Sequence, residues 1–330
     1  MSTALELPLL SSLGHELQAS PESFGFIEPS NDLLDDPEAL RARLDNEGYL
    51  YIKNFFDLEL IEAGRRSILE KLGAEGLLDP ESDLMEGVIS PEKLEAFALD
   101  AAPKFVDGRT MKKLKAGAFR PDLAVANKAI ERVTYGPELM SFYTMLFGEP
   151  VLHFDYTWLR VMGPGFGTPT HCDWVYMGRG SRELLTCWIP YGNVPLEVGG
   201  LILLERSHLQ AERIKHYLEK DVDAYCENKP TEVEKVAKQG GWSFQGWLSN
   251  HPQSLPEKFK TRWLTCREWQ MGDFITFNMT LIHGSLDNHS DRVRVSSDTR
   301  YQPASQPADG RWIGANPPGH GLAGKLGRVC

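Results

Sequence analysis

A mainly β fold with flanking helices is predicted by three features of the sequence. Helical patterns crowd the chain before Val151, short strand patterns dominate after it, and the two never alternate as they would in a doubly wound sheet. That pattern describes a β-sandwich or jelly roll braced by helices. No linker divides the chain. One domain is expected over residues 31–302, with a flexible extension at 1–30 and an irregular tail at 303–330 rich in Gly and Pro.

Met1–Ser30 shows little periodicity, and loose attachment is expected there. Asp35-Asp36-Pro37 starts a helix, with Asp as cap and Pro in the first turn; it runs to about Asn46 and stops at Gly48. Tyr49 to Lys53 reads as a strand. Asp57 to Leu72 returns to helical period, with Leu60, Ile61, Gly64, Ile68 and Leu72 on one side. Ser90-Pro91-Glu92 starts another helix, and Lys112-Lys113-Leu114-Lys115 is a short basic run that suits a solvated helix face. Pro121 to Val133 and Pro137 to Phe147 read as two more helices.

From Val151 to Met162 aromatic and β-branched residues alternate as on a strand. Gly163 to Gly167 is a loop. Thr186 to Pro190 and Leu201 to Leu204 are strands separated by Gly199-Gly200, and Ser207 can cap a helix over His208–Lys220. Residues 221–260 form a long insertion carrying Tyr225, Trp242, Phe244 and Trp247, the composition of a lid or binding loop. Strands resume at Arg262–Arg267, at Phe274–Leu281 leading into His283, and at Val293–Tyr301.

The formal net charge of −11 over 330 residues argues against nucleic-acid and anionic-membrane partners. No apolar run is long enough to span a bilayer, and no secretory signal is evident. The five cysteines are scattered without CxxC spacing, so reduced thiols in a cytoplasmic protein are expected. The expected partner is a small-molecule substrate. Lids and contacts between copies look alike in sequence, which leaves a homo-oligomer open.

The chemistry concentrates in Thr168-Pro169-Thr170-His171-Cys172-Asp173-Trp174. On an extended segment His171 and Asp173 point the same way and can reach one metal ion. His283 follows an apolar strand and offers a second imidazole. Two histidines and one carboxylate, with other positions open, suit non-haem Fe(II) and O2. Taken singly, each residue has a plainer reading: His171 as a loop residue, Asp173 as a turn or cap, His283 as a hydrogen-bonded core residue. On the last strand Val293 and Val295 face one way while Arg292, Arg294 and Ser296 face the other. Arginine beside a hydroxyl is a receptor for a carboxylate. A solvated face balanced by Asp291 and Asp298 is the alternative, and parity does not choose between Arg292 and Arg294.

Taken together, the HxD of His171–Asp173, His283 with Gly284-Ser285 after it, and Arg294 on the next strand resemble the phytanoyl-CoA dioxygenase family. Asn46-Glu47-Gly48-Tyr49, Gly199-Gly200-Leu201 leading to Ser207-His208, and Gly272-Asp273 match as well, over about Leu40 to Gln302. The resemblance implies a double-stranded β-helix (jelly roll, cupin-like) core and an Fe(II)- and 2-oxoglutarate-dependent dioxygenase. It implies iron held by His171, Asp173 and His283. It also implies 2-oxoglutarate ending on Arg294, with Ser285 beside it and Trp188 lining the pocket. Arg160, Trp158, Trp174, Tyr176 and Arg179 are candidates for the substrate wall, and each can equally be packing. The carboxylate of Asp173 argues against the related halogenating chemistry. Hydroxylation is the expected reaction. Desaturation or cyclisation would use the same iron, and a non-catalytic binding protein on the same fold is the rival outside catalysis.

Overall fold

The computed structural model describes residues 10–97, 119–239, 242 and 244–330. Ten strands build its two main sheets: β1 (Phe24–Phe26), β2 (Tyr49–Ile52), β3 (Val151–His153), β4 (Trp158–Met162), β5 (Leu185–Pro190), β6 (Leu201–Leu204), β7 (Trp263–Thr265), β8 (Phe274–Asn278), β9 (His283–Ser285) and β10 (Arg294–Pro303). The larger sheet runs β2-β8-β5-β10-β3, with β4 also paired to β10; the smaller runs β9-β6-β7-β1. All pairings are antiparallel except that of β7 with β1.

Side-chain alternation explains how the sheets stack. Tyr49, Tyr51, Trp188, Ile275 and Phe277 point from the larger sheet toward Leu201, Leu203 and Leu264 of the smaller one. The intervening Leu50, Ile52, Cys187, Ile189 and Phe274 point outward. There they meet helices α1 (Pro37–Glu47), α2 (Leu58–Ala74) and α3 (Pro137–Phe147) through Leu40, Ile61, Ile68, Leu69, Leu72, Leu139, Phe142 and Leu146. Helices cover one face and the second sheet covers the other, so the larger sheet's strands are apolar on both sides. The result is a jelly roll with helices on the larger sheet.

The helices start where local chemistry dictates. Asp36 accepts hydrogen bonds from Glu38 and Ala39, and Gly48 closes α1 in the left-handed region at φ 80°. Asp57 caps α2. The expected helix over 121–133 is two pieces, Pro121–Leu123 and Lys128–Thr134, because the Asn127 side chain caps the second. Ser207 caps nothing; its hydroxyl accepts the backbone N–H of Ile282, and Arg206 occupies the cap position. The basic run at Lys112–Lys115 lies outside the described residues.

Three expectations change. The stretch before residue 30 supplies β1 and buries Leu10, Leu13 and Leu17. The continuous strand expected from Val151 is broken between His153 and Trp158. At the break Asp155 N–H donates to the Trp312 carbonyl, and Phe154 stacks on the Trp312 ring. These contacts dock the tail, expected to be irregular, against the break. Third, Cys226 and Cys330 form a disulfide, so the thiols are not all reduced. A parallel ladder between Ala224–Cys226 and Leu326–Arg328 brings them together, and a separation of 104 residues hid the pair from sequence. Cys172, Cys187 and Cys266 are buried free thiols.

A buried charge cluster fixes insertion to tail. The Asp223 carboxylate accepts from Arg311 at 2.5 Å, His320 at 2.7 Å and Lys325 at 2.7 Å. Burial pushes the Asp223 pKa up, but His320 and Lys325 outweigh it and bring it down to about 2. Replacing Asp223 with Asn removes the negative charge shared by Arg311, His320 and Lys325, of which Arg311 alone keeps a second carboxylate in Asp309, and a loss of about 3–5 kcal/mol is expected, measured by urea unfolding. A depressed folded pKa makes this contribution full above the unfolded value of about 4. It is lost as pH falls from there toward 2, and the variant should be correspondingly insensitive over that window.

Candidate metal centre

His171 and His283 meet through their backbones before their side chains do. His171 N–H donates to the His283 carbonyl at 2.9 Å and His283 N–H to the His171 carbonyl at 3.0 Å. This reciprocal pair closes the HxD loop onto β9 and leaves the ring centroids 4.2 Å apart. Asp173 follows by a route the sequence did not suggest. It is helical in conformation and opens the short turn Trp174–Met177 instead of continuing a strand. Cys172 still points the other way, its thiol donating to the Thr280 carbonyl.

The ligand atoms converge. Asp173 Oδ1 lies 3.4 Å from His171 Nε2 and 3.6 Å from His283 Nε2. All three side chains are buried, and their ligand atoms fall within 4.8 Å of one another. The remaining ring nitrogens are committed. His171 Nδ1 donates to the Pro169 carbonyl at 2.7 Å and His283 Nδ1 to the Leu281 carbonyl at 3.0 Å. With the proton fixed on Nδ1, each Nε2 presents a lone pair to a metal. Burial, then the His171 imidazole, lowers the His283 pKa to about 4, which keeps that ring neutral at pH 7. The donor set of two imidazoles and one carboxylate, with no thiolate, fits Fe(II).

Asp173 Oδ2 is held away from this centre. It accepts from Thr186 Oγ1 at 2.5 Å and from Arg300 Nη2 at 2.7 Å. Burial pushes this carboxyl up, and the Arg300 guanidinium and the two imidazoles more than reverse it, so it stays ionised well below the usual carboxylate range. Arg300 in turn donates Nη1 to Asp298 Oδ2 at 2.7 Å, and Asp298 Oδ1 accepts from Arg160 Nε at 3.0 Å. Sequence alone assigned Arg300 no role, and Asp298 entered it only as a counter-charge in the alternative of a solvated strand face. The signal was present: Arg294, Ser296, Asp298 and Arg300 step by two along β10 and share one face.

One cavity brings most of the expected residues together. Its lining includes His171, His283, Ser285, Arg294, Trp188 and Arg160. Arg294 is 3% exposed, while Arg292 reaches the surface and pairs with Glu86. The Arg294 Nη1 donates to the carbonyl of Gly199, a residue held at φ 80° in the glycine turn, and its Nε has no hydrogen-bond partner among the described residues. Burial, and after it the charge of Arg160, lowers the Arg294 pKa to about 9, which leaves it a cation at neutral pH. Ser285 Oγ accepts the Thr168 N–H at 2.7 Å, so its own proton is available to a ligand.

The other candidates sit outside that lining. Trp158 packs under Arg300, its ring 4.2 Å from the guanidinium carbon. Tyr176 stands edge-on to His171 at 5.5 Å and donates to the Gln245 carbonyl in the insertion. Trp174 lies 4.5 Å from the Arg182 guanidinium. Arg179 binds Asp221 at 2.6 Å and the Gly324 carbonyl at 2.9 Å, joining insertion to tail. No helix among the described residues is long and apolar enough to cross a membrane.

Comparison with known proteins agrees with this geometry. The phytanoyl-CoA dioxygenase family model matches residues 44–296. Among curated relatives, the 1-deoxypentalenic acid 11-beta-hydroxylase of Streptomyces exfoliatus is 27% identical over 286 residues, covering 83% of each chain. Its counterpart from Streptomyces arenae is 26% identical over 296 residues, covering 86% of this chain and 87% of the relative. Among solved structures, the non-heme alpha ketoglutarate dependent carbocyclase SnoK from nogalamycin biosynthesis superposes with a TM-score of 0.54 at 16% identity, over 86% of this chain and 90% of that one. That likeness shows the shared fold. With the matched region covering most of the sequence and the His–Asp–His cluster in place, the chain belongs to the phytanoyl-CoA dioxygenase family and is an iron- and 2-oxoglutarate-dependent oxygenase.

Proposed function

We propose that this protein hydroxylates a small organic molecule, coupling that step to oxidative decarboxylation of 2-oxoglutarate to succinate and CO2. The observation that carries the reading is a cavity lined by His171 and His283 together with a buried arginine and a free hydroxyl, with Asp173 beside the two imidazoles in one ligand cluster. Bound Fe(II) supplies the activation of O2. The chain supplies the rest. His171, His283 and Asp173 Oδ1 would hold the metal, and as only three protein ligands they would leave room for co-substrate and oxygen. Thr186 and Arg300 fix Asp173 so that one oxygen faces the centre. Arg294 offers charge and paired donors to the distal carboxylate of 2-oxoglutarate, with the Ser285 hydroxyl beside it. Trp188 walls the same cavity. The curated relatives are named for hydroxylation of 1-deoxypentalenic acid, and a compound of that size is the first to test here. We read the location as cytoplasmic, a reading that the Cys226–Cys330 disulfide opposes and the three buried free thiols do not decide.

The deciding experiment adds Fe(II) and 2-oxoglutarate anaerobically, records the visible charge-transfer band, then admits O2 with 1-deoxypentalenic acid and follows succinate and product. Succinate coupled to a product heavier by one oxygen supports hydroxylation. A product lighter by two hydrogens points to desaturation or cyclisation instead. No charge-transfer band defeats the reading.

Six variants test the parts. His171→Ala, Asp173→Ala and His283→Ala should each abolish the band and turnover while the far-ultraviolet circular dichroism is kept. Arg294→Ala should raise the 2-oxoglutarate requirement by a factor matching about 2–5 kcal/mol, the cost of truncating one partner of a buried charge pair. Arg292→Ala, at the surface, should change it little, and the reverse pattern would misplace the anchor. Arg300→Met should weaken Co(II) affinity by about 10–100-fold, the range for outer-shell partners of metal ligands, read from the Co(II) absorption titration.

A further inference from the structure

The HxD segment continues the smaller sheet by one bridge, between His171 and His283 of β9. His171 turns both of its main-chain polar groups toward β9. The main-chain groups of its neighbours turn the other way, as they do at a sheet edge. Thr170 and Cys172 are buried, so the Thr170 carbonyl and the Cys172 N–H need partners from the protein. The insertion supplies one directly: Leu248 N–H donates to the Thr170 carbonyl at 2.8 Å. Thr170 Oγ1 donates to the Ser249 carbonyl at 2.8 Å. Cys172 N–H donates to the Tyr217 hydroxyl at 2.9 Å, and that hydroxyl donates to the Gly246 carbonyl at 2.6 Å.

The same stretch holds the turn that follows Asp173. Tyr176, edge-on to His171, donates its hydroxyl to the Gln245 carbonyl at 2.9 Å. Gly246 lies at φ 82°, and a Cβ there would stand 2.2 Å from Tyr176 Oη. No other residue fits without separating ring and backbone. Tyr217 lies on the short helix Lys215–Leu218 and shares one apolar cluster with Cys172, Val175 and Ile282. Residues 245–249 are absent from the lining of the cavity that holds His171 and His283.

We propose that Tyr217 is a positioning residue for the metal centre, and that 245–249 is a strap along the outer edge of the HxD segment. The strap holds the main chain on both sides of His171, so that His171 and Asp173 are presented together. Tyr217 reaches the centre through the N–H of Cys172, the residue between the two ligands. This rests on the oxygenase reading of the site. A metal that binds the strapped arrangement alone must slow opening of the strap. A chain with a weakened strap must bind metal less tightly, in proportion to the fraction of molecules in which the strap is formed.

The test uses the full chain. Co(II) affinity is read from the absorption titration for the unaltered chain and for Tyr217→Phe, Gly246→Ala and Tyr191→Phe. Tyr217→Phe should weaken Co(II) binding by about five- to thirtyfold, the range for a buried donor left without its partner, and should alter the Co(II) absorption spectrum. Gly246→Ala should weaken binding in the same direction. Tyr191→Phe is the control. Its hydroxyl is as deeply buried but meets Ser297 on the helix side of the larger sheet, so its affinity should stay within about twofold. Hydrogen exchange of the unaltered chain, which needs no variant to fold, is compared with and without Ni(II). Exchange in 168–174 and in 245–249 should slow together, by about tenfold or more at saturating Ni(II). The proposal is overturned by unchanged Co(II) affinity in Tyr217→Phe, by an equal loss in Tyr191→Phe, or by exchange in 245–249 that Ni(II) leaves unchanged. An unaltered chain that binds neither metal sinks the oxygenase reading and this proposal with it, whereas normal metal binding with an indifferent strap sinks this proposal alone.

Discussion

Two backbone hydrogen bonds between His171 and His283 set the distance on which the centre depends. His171 lies in a loop and His283 on β9 of the smaller sheet, more than a hundred residues apart. Each donates to the other's carbonyl, so their side chains leave adjacent backbone positions on the same face. Ring orientation is then fixed locally, by the carbonyls two residues earlier in each case. The two imidazoles are thus placed by main-chain bonds that a ligand does not have to form. The ordering entropy is met in folding, and a metal arrives at a prepared site.

The carboxylate side of the centre works by a different force. Asp173, Arg300, Asp298 and Arg160 form a chain of alternating charge through a buried face of β10 and β4. Taking four charges out of water is expensive, and each link is retained only because its neighbours satisfy it. The same chain directs Asp173 Oδ2 inward and leaves Oδ1 for the metal. Position and ionisation of the carboxylate are therefore properties of the network rather than of the residue alone.

Much of this was legible in the sequence where the signal was local or periodic. The cap at Asp36 and the stop at Gly48 are local chemistry, and α1 has those ends. The period of two along β10 separated Val293 and Val295 from Arg294 correctly, because one face meets helices and the other faces the smaller sheet. Parity could not separate Arg292 from Arg294. Burial did, since Arg292 precedes the strand and reaches the surface beside Glu86. The tail and the Cys226–Cys330 bond were not legible. Both arise from contacts about a hundred residues apart, and Gly- and Pro-rich sequence carries no periodicity to announce docking. The break after His153 was hidden for a related reason. The aromatic alternation continues through it, but Phe154 serves the tail by stacking on Trp312 instead of extending the strand.

Insertion and tail also bear on the mouth of the site, through aromatic rings rather than charge. The His171 ring meets Tyr176 edge-on, Tyr176 meets Trp242 of the insertion and His320 of the tail, and His320 meets Trp312. His320 also donates to Asp223, at the centre of the charge cluster that joins the two segments. An apolar contact chain therefore runs from a metal-facing imidazole to the clasp between insertion and tail. Edge-to-face pairs are worth about 0.5–1.5 kcal/mol each beyond their buried area. A displaced clasp would unpack several at once. The segments that looked least structured in sequence are thus packed, ring against ring, up to His171, while β9 and β10 carry His283, Ser285 and Arg294 beneath it.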